Sequence, residues 1–334
     1  MTLKERVYQL FFVMPEQITG SKSAVVTPLD LSQKPVGGII CMGDNLVSVF
    51  QTKNMLSKTQ QNAMESGIGV FFAVDEEGGR VARCALKLGT AAFEGMAVYG
   101  ERNDAEEAFN IGKTIGADIA SLGFNVDFAP VADVDLSPTN ELGDRIFSSD
   151  PEVVANMVSN VVSGLRSSGV CATLKHFPGL GAEDGNTHTA TSIIIDRTLE
   201  QLRSEEFVPF RSGILAGAEF VMVGHQQVTA FGDGLPADLS YKAVTEMLRG
   251  ELGFDGIAIT DAHRMNTISG VYNSGTAAVM SINAGIDMIL SPMDLDAAVE
   301  GVYNAVLSGK ISEERINESV TRILELKQRM GLLN

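Results

Sequence analysis

Eight short apolar runs, each followed by a longer stretch of helical periodicity, recur along this chain and restrict its fold more than any other feature. The runs occupy residues 10–14, 37–41, 69–74, 124–129, 170–175, 218–224, 256–260 and 285–290. Their hydrophobicity is nearly continuous, which is what a strand buried on both faces requires, as in a parallel sheet covered by helices. Helices are expected between them over residues 104–121, 150–165, 198–215, 240–252 and 276–284. Ser149-Asp150-Pro151 and Leu239-Ser240 look like helix starts, each with a capping side chain and the first with Pro just inside. Near the end, Ile316, Val320, Ile323 and Leu326 recur at helical spacing within residues 311–330 and predict a last amphipathic helix.

Eight β-then-α units in 334 residues fit a closed barrel. An open doubly wound sheet would alternate in the same way, but no Gly-x-Gly-x-x-Gly turn follows the first run. No Pro/Gly/Ser-rich linker, charge block or solenoid repeat divides the chain. The expected architecture is therefore α/β, a (β/α)8 TIM barrel, as a single domain over residues 1–334 with the C-terminal helix closing it.

Charge and composition remove several function classes. Lys and Arg number 25 against 42 Asp and Glu, a net −17, whereas binding nucleic acid or anionic lipid needs clustered cations. Three scattered cysteines, Cys41, Cys84 and Cys171, suit neither a disulfide framework nor a zinc site, and no metal or cofactor is expected. No apolar run reaches the roughly 18 residues of a spanning helix. Residues 7–14 read as a core element rather than an export signal, so the chain as it stands reads as cytoplasmic. An exported form whose leader has been removed stays compatible with it, and a monomer is expected.

Barrel chemistry sits at the C-terminal ends of the strands. After the third run come Asp75-Glu76-Glu77-Gly78-Gly79-Arg80 and Arg83; after the fourth, Asp133 and then Arg145. The fifth leads into Lys175-His176-Phe177-Pro178-Gly179 and on to His188. The sixth ends in His225 and the seventh in Asp261, with His263 two residues beyond. A lone His or Asp at a strand end is ordinarily a loop cap or an ion-pair partner. Charged groups gathered at five strand ends of one barrel point instead to an active site.

Two chemistries fit these residue types. Asp261 could attack as a nucleophile while His188 protonates a leaving group, which is hydrolysis through a covalent intermediate. Alternatively, Lys175 could form a Schiff base with a carbonyl substrate, provided no acidic group touches it. The abundance of acid nearby favours hydrolysis.

The same residues resemble glycoside hydrolase family 3, in its single-domain β-N-acetylglucosaminidase branch, over nearly the whole chain. The matching blocks include Lys4-Glu5-Arg6-Val7-Tyr8-Gln9-Leu10, Asp75-Glu76-Glu77-Gly78-Gly79-Arg80-Val81, Phe128-Ala129-Pro130-Val131-Ala132-Asp133 and Gly143-Asp144-Arg145. Lys175-His176-Phe177-Pro178-Gly179-Leu180-Gly181, Gly253-Phe254-Asp255-Gly256, Thr260-Asp261-Ala262 and Ala284-Gly285-Ile286-Asp287-Met288 continue the order. The resemblance implies Asp261 as nucleophile and His188 as general acid/base. It implies Asp75, Arg83, Arg145, Lys175 and His176 as contacts to sugar hydroxyls and the N-acetyl group, with Asp133, His225 and Met265 at further rim positions. The implied reaction is retaining hydrolysis of terminal, non-reducing β-linked N-acetylglucosamine from muropeptide fragments or chito-oligosaccharides. An imidazole, with an ordinary pKa near ~6.5, can give and then take a proton around neutrality.

One position departs from the family pattern. Asn186 stands where an Asp is usual two residues before the acid/base, so either Asn186 or Asp184 is left to orient the His188 ring. Asn can accept a ring N–H but supplies no countercharge, which makes a slower enzyme or a non-catalytic sugar-binding barrel a second reading. The two-domain β-glucosidase branch takes its acid from an additional domain, and this length leaves no room for one. Phosphorolysis, with phosphate in place of water, remains open on the same scaffold because a His acid/base would not repel the anion.

Overall fold

The structure, a computed structural model, describes residues 1–182 and 190–334. Eight parallel strands form the centre: β1 (Phe11–Val13), β2 (Gly38–Ile40), β3 (Phe71–Val74), β4 (Val126–Asp127), β5 (Cys171–Phe177), β6 (Phe220–Val223), β7 (Ile257–Thr260) and β8 (Ile289–Leu290). They neighbour one another in chain order from β1 to β7, with β8 on the other side of β1. A parallel bridge between Ile259 and Met288 joins β7 to β8 and closes the ring, and the Thr260 N–H donates to Met288 O (3.0 Å). The strands fall on the eight expected runs, with β5 running two residues further, to Phe177. The (β/α)8 barrel is confirmed.

Alternation along the strands divides the core in two. Phe12, Ile40, Phe71, Ala73, Val126, Phe128, Phe220, Met222, Ile257 and Ile259 cluster inside the ring. Their neighbours in sequence, among them Phe11, Val13, Phe72, Val74, Val221 and Val223, join a second cluster with the helices. This is the period-2 pattern of a strand buried on both faces. Inside, the Phe71 and Phe220 rings meet edge-on at 5.5 Å between centroids, and Phe12 and Phe128 at 5.2 Å. A Cβ at position 38 would stand 2.4 Å from the Phe12 ring, so Gly38 makes room for that aromatic.

The expected helix starts hold. Asp150 caps the helix Pro151–Ser167 by accepting from the Glu152 N–H, and Ser240 Oγ accepts from the Ala243 N–H (3.1 Å). The helix expected over 198–215 is two, Leu199–Ser204 and Phe207–Leu215. The break falls at Glu205 and Glu206, whose carboxylates both turn to Arg197, and Pro209 in the second piece lacks the N–H a continuous helix would use. The segment 240–252 winds as a π-helix, Lys242–Glu251. Among the described residues no helix is long and apolar enough to cross a membrane.

The helix Glu313–Arg329 covers the N-terminal end of the barrel. Ser312 caps it, and Ile323 and Leu326 enter the interior cluster. Beside them Lys327 is fully buried, donates to Gln9 Oε1 (2.7 Å) and lies 5.2 Å from the Phe71 ring centroid. Burial without a carboxylate partner drives its pKa down to about 7. A group deprotonated in the fold but protonated in the open chain destabilises the fold as pH drops from the ordinary lysine range towards 7. Lys327→Met is therefore expected to stabilise the protein near neutrality by on the order of 3 kcal/mol. It should also remove the part of the rise in stability between pH ~7 and ~10 that this group causes. Urea denaturation of both forms across that interval checks this.

Candidate active site

Strand parity decides which residues reach the mouth of the barrel. Extending the inward-facing series Phe71, Ala73 leads to Asp75 and Glu77 after β3; Cys171, Thr173 leads to Lys175 on β5; Ile257, Ile259 leads to Asp261 after β7. All four line a cleft of about 740 Å³ at the C-terminal ends of the strands. Arg80, Arg83, Glu141, Arg145, His176, Arg264, Met265 and Asn266 line it as well. The short hairpin of Glu76–Gly78 with Val81–Ala82 holds the β3 carboxylates in place.

One carboxylate ties the cations together. Glu77 accepts from Arg145 through both oxygens (Nε to Oε2 2.7 Å, Nη2 to Oε1 2.8 Å), and its Oε1 also lies 2.5 Å from Lys175 Nζ. Asp75 Oδ1 takes a second bond from Lys175 (3.0 Å). Burial pushes the Glu77 carboxyl up, but Lys175 and Arg145 outweigh it and hold it at about 2. Burial likewise works against the Lys175 ammonium, and Asp75 and Glu77 more than reverse it, so its pKa stands above the ordinary lysine value. A lysine so protonated cannot attack a carbonyl. The Schiff-base reading, which required Lys175 free of acidic contacts, is overturned.

His176 presents one ring edge to the cleft and one to the protein. Asp133 accepts from the His176 N–H (3.1 Å), the Leu180 N–H (2.6 Å) and His176 Nδ1 (2.8 Å). A carboxylate accepting two backbone N–H groups takes Nδ1–H as the third, which leaves Nε2 for a ligand. The Gln226 amide fixes the strand end by donating to His176 O and Gly179 O (3.0 and 3.1 Å). The Lys175–His176 and Phe177–Pro178 peptide bonds are cis.

Asp261 is half-buried and accepts the Ala262 N–H at Oδ1 (2.7 Å). Burial would raise its pKa, but His225, His176, that N–H and Lys175 together bring it below the usual aspartate value. It is ionised at neutral pH. Behind it His225 is 2% exposed, with Nε2 at 3.1 Å from Ala262 O and Nδ1 at 3.1 Å from Asp238 Oδ1. Burial disfavours the His225 cation, yet Asp238 prevails and lifts the ring to about 9. His263 shares the other Asp238 oxygen (Nε2 to Oδ2 2.8 Å), and burial together with the His225 charge lowers its pKa.

A family model described as "Glycosyl hydrolase family 3 N terminal domain" matches residues 2–326. The chain belongs to glycosyl hydrolase family 3. It is 31% identical over 323 residues to the β-hexosaminidase of Nitrosomonas eutropha, covering 93% of this chain and 91% of that one. It is 30% identical over 327 residues to β-hexosaminidase A of Pseudoalteromonas piscicida, covering 90% of this chain but only about half, 54%, of that longer protein. Its fold superposes on a glycoside hydrolase family 3 β-N-acetylglucosaminidase from Paenibacillus sp. str. FPU-7 with a TM-score of 0.93 and 36% identity, over 99% of this chain and 63% of that one.

Within this family 3 barrel the residues expected from the sequence divide three ways. Asp261, Asp75, Arg83, Arg145, Lys175, His176 and Met265 line the cleft. Asp133 and His225 do not reach its wall: Asp133 is wholly buried behind His176, and His225 belongs to the outward series Val221, Val223 of β6. His188, Asn186 and Asp184 lie outside the described residues. Glu77 was missed as a member of the site although it stands in the quoted motif. Its signal was parity with Asp75, two residues away. Asp238 carried no motif and was found only by folding.

Glu77→Gln removes the shared countercharge while keeping the shape. We expect it to destabilise the protein by about 3–5 kcal/mol, because Arg145 loses its bidentate partner and Lys175 one of its two carboxylates. It should also cut kcat/KM on a glycoside substrate more than Arg83→Gln does. Thermal unfolding and steady-state kinetics on both variants check this.

Proposed function

We propose that this family 3 protein is a retaining β-N-acetylhexosaminidase that removes terminal, non-reducing β-linked N-acetylglucosamine from muropeptide fragments or chito-oligosaccharides. The observation that carries the reading is an ionised Asp261 at the end of β7, facing a cleft whose opposite wall is the Asp75–Lys175–Glu77–Arg145 network. The names of the relatives support the choice of sugar. In the first step Asp261 attacks the anomeric carbon and the bond to the departing oxygen breaks, with His188 giving that oxygen its proton. In the second, water attacks the same carbon, His188 takes the proton and the Asp261 carboxylate leaves. Lys175, Asp75, Arg145 and the Nε2 edge of His176 are already oriented by the protein, so they hold hydroxyls with little reorganisation.

The test is turnover of p-nitrophenyl N-acetyl-β-glucosaminide with product analysis in the presence and absence of phosphate. Free N-acetylglucosamine under both conditions, with Asp261→Asn slower by about ten-thousandfold, is the expected result. Sugar 1-phosphate formed in phosphate buffer would instead identify a phosphorylase. Asn186→Asp should raise kcat roughly tenfold or more, since a carboxylate stabilises an imidazolium better than an amide does. A wild-type protein that is inert while Asn186→Asp turns over would mark a sugar-binding barrel.

A further inference from the structure

The residues around Asp261 hang from a small set of bonds. The Asp261 N–H donates to Val223 O on β6 (2.8 Å), and the His263 N–H donates to Leu290 O on β8 (2.9 Å). Between them, the Ala262 carbonyl accepts from His225 Nε2 (3.1 Å), and the Ala262 N–H donates to the Asp261 carboxylate (2.7 Å). Asp238 clasps the same segment from outside the barrel, one oxygen toward His225 and the other on the His263 ring. Its own N–H is tied to Gly224 O (3.2 Å), so the clasp is anchored to the end of β6.

Each of these three side chains is almost wholly buried, and none lines the cleft, so ligand binding does not explain them. Burying one carboxylate and two imidazoles for structure alone is expensive when apolar side chains would pack there. We propose that His225, clasped by Asp238, is a positioning residue for Asp261: it fixes the peptide that follows the nucleophile and places positive charge behind its carboxylate. This deepens the proposed function and rests on Asp261 being the nucleophile.

The charges in question face one another from three elements. His225 meets Asp238, Asp261 and the uncharged His263, while Asp261 also feels His176 and Lys175 from the end of β5. The charge serves both half-reactions. It keeps Asp261 ionised for attack, and it stabilises the carboxylate as that group departs from the glycosyl intermediate.

Asp238→Asn keeps the shape and one acceptor oxygen but removes the anion that holds the proton on His225. The double variant His225→Gln/Asp238→Asn removes both charges, leaving no unpaired ion buried. The probe is 5-fluoro-N-acetyl-β-glucosaminyl fluoride, whose fluoride leaves without general acid help, so the acid limb of its labelling rate reports ionisation of Asp261. Labelling is followed by mass spectrometry, with thermal unfolding recorded at each pH.

The expected result is wild-type label on Asp261 and an acid limb displaced upward by about one pH unit in both variants, a tenfold slower labelling below the wild-type limb. A merely structural clasp would slow labelling equally at every pH and leave the limb in place, which would overturn the proposal. Wild-type protein that takes no label on Asp261 removes the nucleophile assignment and this inference with it. Label with an unmoved limb removes this inference alone.

Discussion

The shared carboxylate of Glu77 is the interaction on which the cleft depends. It lies in the turn after β3, Lys175 lies near the end of β5, and Arg145 comes from the loop after β4, so a single buried anion draws two loops and a neighbouring strand to one point. Removing two cations from water costs several kcal/mol each unless an anion compensates them at contact distance. With Glu77 in place the compensation is met inside the protein, and Asp75 adds a second partner for Lys175. The cations then serve as fixed hydrogen-bond donors rather than as acids or nucleophiles.

Parity along the strands sorts the remaining polar groups into two tiers. Residues in register with Phe71, Cys171 and Ile257 reach the cleft, as does His176 from outside that register; those in register with Val221 and Phe72 face the helical layer. His225 and Glu76 belong to the outer tier. Glu76 is spent on the N–H groups of Cys84 and Ala85 (2.6 and 2.9 Å), where it starts the helix Arg83–Leu88. Asp127, also in the outer tier, is buried beneath Glu76 and accepts its N–H (3.0 Å). Burial raises the pKa of Asp127 well above the aspartate range, which favours its neutral form under the cleft. What faces the cleft is thus a small subset of the acid and base at the strand ends.

The barrel was legible because strands buried on both faces must be apolar throughout, a signal that survives even where β4 keeps only two ladder residues. The long helix Val49–Glu65 was not anticipated, since its exposed positions are largely polar and only Thr52, Met55, Leu56, Thr59 and Ala63 are buried. At the site, motifs found the inward residues but could not separate tiers. The resemblance put His225 at a rim position, and the structure buries its side chain outside the cleft wall. Asp238, in a short turn of helix, gained its role from a contact with residues 13 and 25 positions away, which no local pattern records. The net −17 belongs mostly to the exterior, and the cleft is mixed in charge, because Glu77 and Asp75 stand against Arg145 and Lys175.

The central claim is that Asp261 reacts as a nucleophile held ready by fixed charge, so that hydrolysis proceeds by two inversions at the anomeric carbon. The most direct measurement is proton NMR of the sugar released in the first seconds of turnover of an aryl N-acetyl-β-glucosaminide, before mutarotation. The account predicts the β-anomer of N-acetylglucosamine as the initial product. Initial release of the α-anomer would contradict it.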